Sequence, residues 1–191
     1  DADALGIHYL PLFCTRRRQS LFNDQVAGSK TYFVGNVVNP ARYTALRAFE
    51  RYAADKALPF KYFAACTPPV MLKMMRSGRW PRGLSLGEIR ESEFVEMLNG
   101  SSTVFDYANH QQTGYTMRVI ENLCMGRKIV TNNHYLLAEP FYSPDRIFVF
   151  DGFDFSGVAE FVRLPVVDVG KRFEQFHIQA FASKILELPI R

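Results

Sequence analysis

The chain has 191 residues, of which 48% are hydrophobic, and a formal net charge of +4 from 23 basic and 19 acidic side chains. It is long enough to bury the core of one domain with an attached segment. The small charge, with a single basic run at residues 16–18, disfavours extended binding to duplex nucleic acid and favours an anionic small molecule. We interpret this run as a solvated linker rather than a lipid contact.

The cysteines and the apolar runs indicate which cellular compartment to expect for the protein. Cys14, Cys66 and Cys124 have no metal-ligand spacing and are odd in number, so the sequence predicts neither a metal site nor a disulfide framework. A reducing cytoplasm fits best. No secretory signal and no apolar run of about 20 residues is present, so we expect membrane contact to be peripheral at most. The chain begins at Asp1 rather than at Met, which favours a domain taken from a longer protein.

The sequence pattern divides the chain into a linker or remnant of a preceding domain (1–29), an α/β domain (30–170) and a C-terminal helix (171–191). The predicted strands cover 31–34, 60–65, 84–86, 103–106, 128–131 and 147–150. The predicted helices cover 40–54, 70–76, 90–98, 115–125, 158–162 and 171–186. Helices that alternate with buried strands indicate a doubly wound, mostly parallel, Rossmann-like sheet, which binds ligands at the carboxyl ends of its strands.

The segment 110–133 carries the strongest prediction of a site. Gln112, Thr113 and Gly114 form a polar turn before the helix predicted at 115–125. The first amides of a helix have no intrahelical partner and favour negative charge, so we expect a phosphate to bind near Gly114, Tyr115 and Thr116.

Three side chains of the same segment are candidates for the rest of a nucleotide. Glu121, roughly 10 Å along the helix, is placed to accept hydrogen bonds from a ribose. Arg118, and less directly Lys128, would neutralise a leaving diphosphate. The alternative is an ordinary αβ unit in which Glu121 and Arg118 are solvated surface charges.

A second candidate site follows the first strand. Gly35 and Asn36 form a turn at the same carboxyl edge, and Arg42 on the next helix has the donors to pair with a diphosphate. The alternative is ordinary turn chemistry, since the turn matches neither the dinucleotide nor the P-loop motif. His110, beside the polar turn, is the one histidine that we consider as a catalytic base, although a lone histidine is more often structural.

These motifs resemble bacterial glycosyltransferase-like proteins of capsule and lipopolysaccharide biosynthesis. More distantly, they are similar to the C-terminal nucleotide-sugar-binding domain of GT-B glycosyltransferases, in which Glu121 matches a ribose-binding Glu. The resemblance covers about residues 31–150. The segments that carry it are QTGYTMR at 112–118, IE at 120–121, GRKIVTN at 126–132, FY at 141–142 and DRI at 145–147.

The resemblance implies a cytoplasmic transferase, peripheral at the inner membrane at most, that uses a nucleotide-sugar as donor substrate without a cofactor or metal. The partners it implies are a saccharide or lipid-linked acceptor and an N-terminal domain that is missing here. It also allows the C-terminal helix to cross to that domain; the alternative is that this helix closes its own core.

Two rival functions remain open. Many GT-B enzymes have a further Glu two helical turns before the ribose-binding one, where this chain has Gln112 and Thr113, and this difference favours a non-catalytic GT-B-like interaction module in a polysaccharide-assembly complex. A nucleotide-dependent oxidoreductase is disfavoured because the dinucleotide motif is missing.

Overall fold

The computed structural model describes residues 12–14, 29–76, 78, 80–109, 114–168 and 170–187. Six strands form one sheet in which all neighbours are parallel, in the order β3-β2-β1-β4-β5-β6. The strands are β1 (Thr31–Asn36), β2 (Phe60–Ala65), β3 (Leu84–Ser85), β4 (Thr103–Asp106), β5 (Lys128–Thr131) and β6 (Ile147–Val149). The predicted α/β fold with a doubly wound, Rossmann-like sheet is therefore confirmed.

Helices connect the strands and continue past the last one. The α-helices are α1 (Pro40–Asp55), α2 (Pro68–Arg76), α3 (Glu91–Asn99), α4 (Met117–Cys124), α5 (Val158–Arg163) and α6 (Ile178–Glu187). Two 3₁₀ helices cover His134–Ala138 and Gly170–Phe176. In the described part of the chain, no helix combines the length and the apolar character that crossing a bilayer requires.

Four strands, β1, β4, β5 and β6, contribute to two separate cores, one on each face of the sheet. Tyr32 packs in one hydrophobic cluster and Phe33 in the other, because successive side chains of a strand point to opposite faces. On the face of α1, the ring of Phe49 stacks on Phe105 with centroids 4.2 Å apart. Both faces of the central strands are buried, which explains why these strands are continuous apolar runs.

The C-terminal segment differs from the single helix predicted for 171–186. A 3₁₀ helix ends at Phe176, and α6 starts only after His177. Phe173 and Phe176 are buried beside Phe141, so the first half of the segment closes the domain's own core. No residue of α6 is buried. A spacing of three residues, as between Phe173 and Phe176, fits both helix types, so the pattern did not reveal the break between them.

The order of the strands fixes where a ligand crevice should form. From β1 the chain adds strands outward to β3 on one side, and from β4 it adds them outward to β6 on the other side. The direction in which strands are added therefore reverses between β1 and β4, although all the strands are parallel. In open parallel sheets, the loops that leave the carboxyl ends at such a point diverge and leave a crevice. The loops at that point begin after Asn36 and Asp106.

Candidate functional site

Arg42 ties together the two loops at the reversal point. Its Nε and Nη2 donate to the carbonyl of Tyr107, at 3.2 and 2.7 Å, and its Nη1 donates to the carbonyl of Asn36, at 3.0 Å. The side chain of Asn39 caps α1 by accepting from the Arg42 amide. Burial lowers the pKa of Arg42. Arg42 thus positions the loops, while its pairing with a diphosphate stays a prediction.

Arg118 lies over the end of β1, and the turn predicted at Gly35 and Asn36 is wrong, because both residues belong to β1 and pair with β2. Its Nη1 donates to the buried carboxylate of Asp106 at 2.9 Å, and its guanidinium lies 5.3 Å from the ring centroid of Phe33. A Cβ on Gly35 would come within 2.5 Å of Arg118 Nη2. The glycine in this strand therefore makes room for a cationic side chain, rather than leaving space for a ligand as the sequence suggested.

The start of α4 is open on one side and packed on the other. Thr116 is the N-cap residue, and its side chain forms no capping hydrogen bond to the helix amides, while its carbonyl accepts from the Val119 amide at 3.0 Å. Gly114 is exposed with nothing within 4 Å of a Cβ, whereas Tyr115 is buried edge-on against Phe141. The predicted ligands Gln112 and Thr113 and the candidate base His110 lie outside the described residues.

Arg118 and Glu121 line the same cleft. It has a volume of about 200 Å³ and lies between α3 and α4, with Phe94 and Leu98 on its α3 side and Tyr32 at its base. Because α4 begins at Met117 rather than at residue 115, Glu121 lies only about 6 Å along the helix axis from the first helical residue. We name this the α3–α4 cleft.

A hydrogen-bonded pair holds the base of the α3–α4 cleft. Tyr32 Oη donates to Asn122 Oδ1 at 2.7 Å, and Asn122 Nδ2 donates to the Arg118 carbonyl at 2.8 Å. Burial raises the pKa of Tyr32 to about 12, so the phenol stays protonated and keeps donating at neutral pH. The helix that carries Arg118 and Glu121 is thereby fixed to β1.

A second cleft lies beyond the carboxyl ends of β4 and β5, and its polar residues were not predicted as a site. Its volume is about 400 Å³. Asn132 bonds to both backbone groups of Ala108, and Asn133 Nδ2 donates to the Gly114 carbonyl at 2.9 Å. Nearby, His134 Nε2 lies 2.9 Å from Asp151 Oδ1. Two asparagines directly after a buried strand were the signal that the sequence offered.

Lys128 lies at the other edge of the sheet. It is fully buried at the start of β5, and its Nζ donates to the carbonyls of Phe161 and Leu164 at the end of α5. Burial, reinforced by the charge of Arg146, lowers its pKa to about 8. Lys128 thus caps a helix, and of the two predicted cations Arg118 is the one at the carboxyl edge.

A third cleft, of about 410 Å³, lies along the outer side of α1 beside the loop before β3. Arg47, Arg51, Arg82 and the exposed Trp80 line it, and Arg47 forms an ion pair with Glu50. We name it the arginine cleft. It is larger than the α3–α4 cleft and is lined by more cationic side chains, but it lies on the outer side of α1, away from α4.

No protein-family model matches the chain, and no curated protein matches it.

Proposed function

We propose that the domain binds the donor of a glycosyltransferase, a nucleotide-sugar, at the carboxyl edge of its sheet, for the assembly of bacterial surface polysaccharide such as capsule or lipopolysaccharide. One observation carries the proposal: Arg118 and Glu121, one helical turn apart on α4, line a single cleft beside the reversal of strand order. The motif resemblance at residues 112–132 supports the same donor chemistry.

The parts of the α3–α4 cleft suit the parts of a nucleotide. Phe94 and Leu98 offer an apolar wall for a base, and the carboxylate of Glu121 suits two ribose hydroxyls. A volume of about 200 Å³ is below the range of whole-ligand pockets, so this cleft would hold the nucleoside alone. The sugar would then extend past Gly114 toward the asparagine-lined cleft.

Charge supports placing the diphosphate at the start of α4. The helix amides and Arg118 give this end a positive field, and a cation held by Asp106 needs no reorganisation as the diphosphate leaves. Transfer also requires an acceptor saccharide or lipid-linked sugar. We propose that the acceptor is presented by a further domain.

Calorimetric titration with UDP, GDP, CMP and dTDP tests this proposal. We expect one nucleotide to bind with a sub-millimolar Kd, and Glu121→Ala to weaken it by about tenfold or more, equivalent to about 1.4 kcal/mol. Glu160→Ala, at an exposed position on α5, is the matched control and should bind like the wild type. Failure of all four nucleotides to bind below millimolar would refute the proposal.

A non-catalytic GT-B-like module is the second candidate. The donors of Arg42 go to backbone carbonyls, and Arg118 is paired with Asp106, which favours a structural use of both cations. The full-length protein with a radiolabelled nucleotide-sugar separates the two functions. Labelled saccharide should form if the protein is an enzyme, and nucleotide binding without product would favour the module.

A further inference from the structure

Three potential metal ligands meet where the N-terminal segment, the end of α4 and the C-terminal segment come together. The sulfur atoms of Cys14 and Cys124 and a ring nitrogen of His177 all lie within 4.8 Å of one another. Cys14 is buried, and the other two are half-buried. The residues are 110 and 53 positions apart along the chain, so no spacing motif in the sequence could have predicted the cluster.

The backbone holds two of these ligands side by side. Cys14 and His177 form a parallel β-bridge in which the Cys14 amide donates to the Phe176 carbonyl at 2.7 Å. The Ile178 amide donates to the Cys14 carbonyl at 3.0 Å. The pair is therefore positioned by main-chain hydrogen bonds and does not depend on side-chain rotamers alone.

The third ligand comes from a rigid element. Cys124 is the last residue of α4, and its Sγ lies 3.9 Å from the carbonyl of Phe173, so the thiol faces the same C-terminal segment that carries His177. The buried rings of Phe173 and Phe176 anchor that segment in the core next to this contact.

We propose that Cys14, Cys124 and His177 bind one Zn²⁺ ion, with a water molecule as the fourth ligand. In a tetrahedral site, Zn–S bonds of about 2.3 Å and Zn–N bonds of about 2.0 Å place neighbouring ligand atoms about 3.5–3.8 Å apart. The three atoms need to approach by only about 1 Å, which small side-chain rotations provide. Both thiols lose their protons to solvent on binding, and the two thiolates then balance the charge of the ion.

Such an ion would fasten both terminal segments to α4, the helix that also carries Arg118 and Glu121. The proposal does not rest on nucleotide binding. A metal held by these residues would stabilise the folded chain whatever the α3–α4 cleft contains, because a ligand that binds only the folded state raises its stability.

Titration of the reduced full chain with Co²⁺, followed by Zn²⁺, tests the site. We expect one Co²⁺ per chain with a thiolate-to-metal charge-transfer band, displaced by Zn²⁺. Cys14→Ser, Cys124→Ser and His177→Asn should each weaken binding about 100-fold or more, because outer-shell changes alone cost 10- to 100-fold. Cys66→Ser is the control: Cys66 is also buried but packs in the core of the opposite face, so its variant should bind like the wild type.

Native mass spectrometry of the wild type provides a test that does not depend on the folding of any variant. Added Zn²⁺ should give a species that carries one zinc ion per chain. Zn²⁺ should also protect Cys14 and Cys124, but not Cys66, from alkylation. The absence of a charge-transfer band, a band that persists in Cys14→Ser, or alkylation of Cys14 and Cys124 that Zn²⁺ does not slow would overturn the proposal.

Discussion

The two edges of the sheet differ in how they use charged residues. At the amino edge, three buried cations precede or begin strands, and each bonds to carbonyls at the end of a helix: Arg127 at α3, Arg146 at α4 and Lys128 at α5. At the carboxyl edge, Arg42 also bonds to backbone carbonyls, but other charged and amide side chains line open clefts at this edge and on the adjacent face between α3 and α4. A buried charge bonded to carbonyls stabilises the fold, whereas a charge beside an open cleft is available to a ligand.

This comparison explains why a buried cation is poor evidence for an anion site. Arg146 has four hydrogen bonds to the carbonyls of Leu123, Arg127 and Val167, and burial lowers its pKa to about 10. Burial and a shifted pKa resemble the signature of a functional group. Here, however, all the partners are backbone carbonyls, one of them at the end of α4, so the role of Arg146 is structural.

The largest effect should come from the amino edge. Arg146→Met removes the guanidinium that donates to the carbonyls of Leu123, Arg127 and Val167, and it should lower the free energy of unfolding by about 3 kcal/mol or more. Urea denaturation measures the change. Arg76→Met, at the exposed end of α2, should change it by less than about 0.5 kcal/mol. If both substitutions changed the free energy of unfolding equally, the buried cations of the amino edge would not have the structural role described here.

Arg118 should affect both stability and binding, because it pairs with a buried carboxylate and lines a cleft. Arg118→Met leaves Asp106 uncompensated, so we expect a loss of about 2 kcal/mol, below the usual range for a buried pair because Arg118 is partly exposed. The double variant Arg118→Met with Asp106→Asn should recover part of the stability in the same denaturation assay. It should recover none of the nucleotide affinity, and restored affinity would argue against a contact with the ligand.

Tyr32 offers a test through pH. Tyr32→Phe leaves Asn122 Oδ1 without this donor and should cost about 1 kcal/mol at pH 8. The folded-state pKa is about 12 and the ordinary value is 10, so unfolding releases a proton between these values and stability falls as pH rises from 10 toward 12. The difference between wild type and variant should therefore shrink over this range. A constant difference would mean that the Tyr32 phenol is not buried as described.

The smallest effect on stability should come from two glycines at the carboxyl edge. Gly35→Ala brings a Cβ against the mobile end of the Arg118 side chain, so stability should change by about 1 kcal/mol or less while nucleotide affinity falls severalfold. Gly114→Ala meets open space and should leave stability unchanged. Thermal unfolding and calorimetry on the two variants measure both quantities. Identical affinities would show that the position of Arg118 does not matter for binding.

The sequence predicted the fold well because its signals are local. The strands Thr103–Asp106 and Lys128–Thr131 have the predicted bounds, since each is a short, continuously buried run between turns. The helix predicted at 115–125 was also found, with bounds Met117–Cys124. These features depend on residues within one or two turns of each other.

What the sequence did not predict depends on contacts between distant segments. Three donors of Arg42 are used by carbonyls that include Tyr107, 65 residues away. Cys14 meets His177 through a β-bridge that no pattern in either segment indicates. Packing of distant segments also decided which cations are buried, so the sequence favoured Arg118 over Lys128 but could not show that Lys128 is buried at the other edge.

Amide chemical-shift mapping of the labelled domain with each of the four nucleotides tests whether a nucleotide binds in the α3–α4 cleft. We expect one nucleotide to shift the resonances of Tyr32, Gly114, Arg118 and Glu121 in a saturable way, and to leave those of Arg47, Arg51 and Trp80 in the arginine cleft unchanged. Shifts confined to the arginine cleft, or none with any nucleotide, would contradict this expectation.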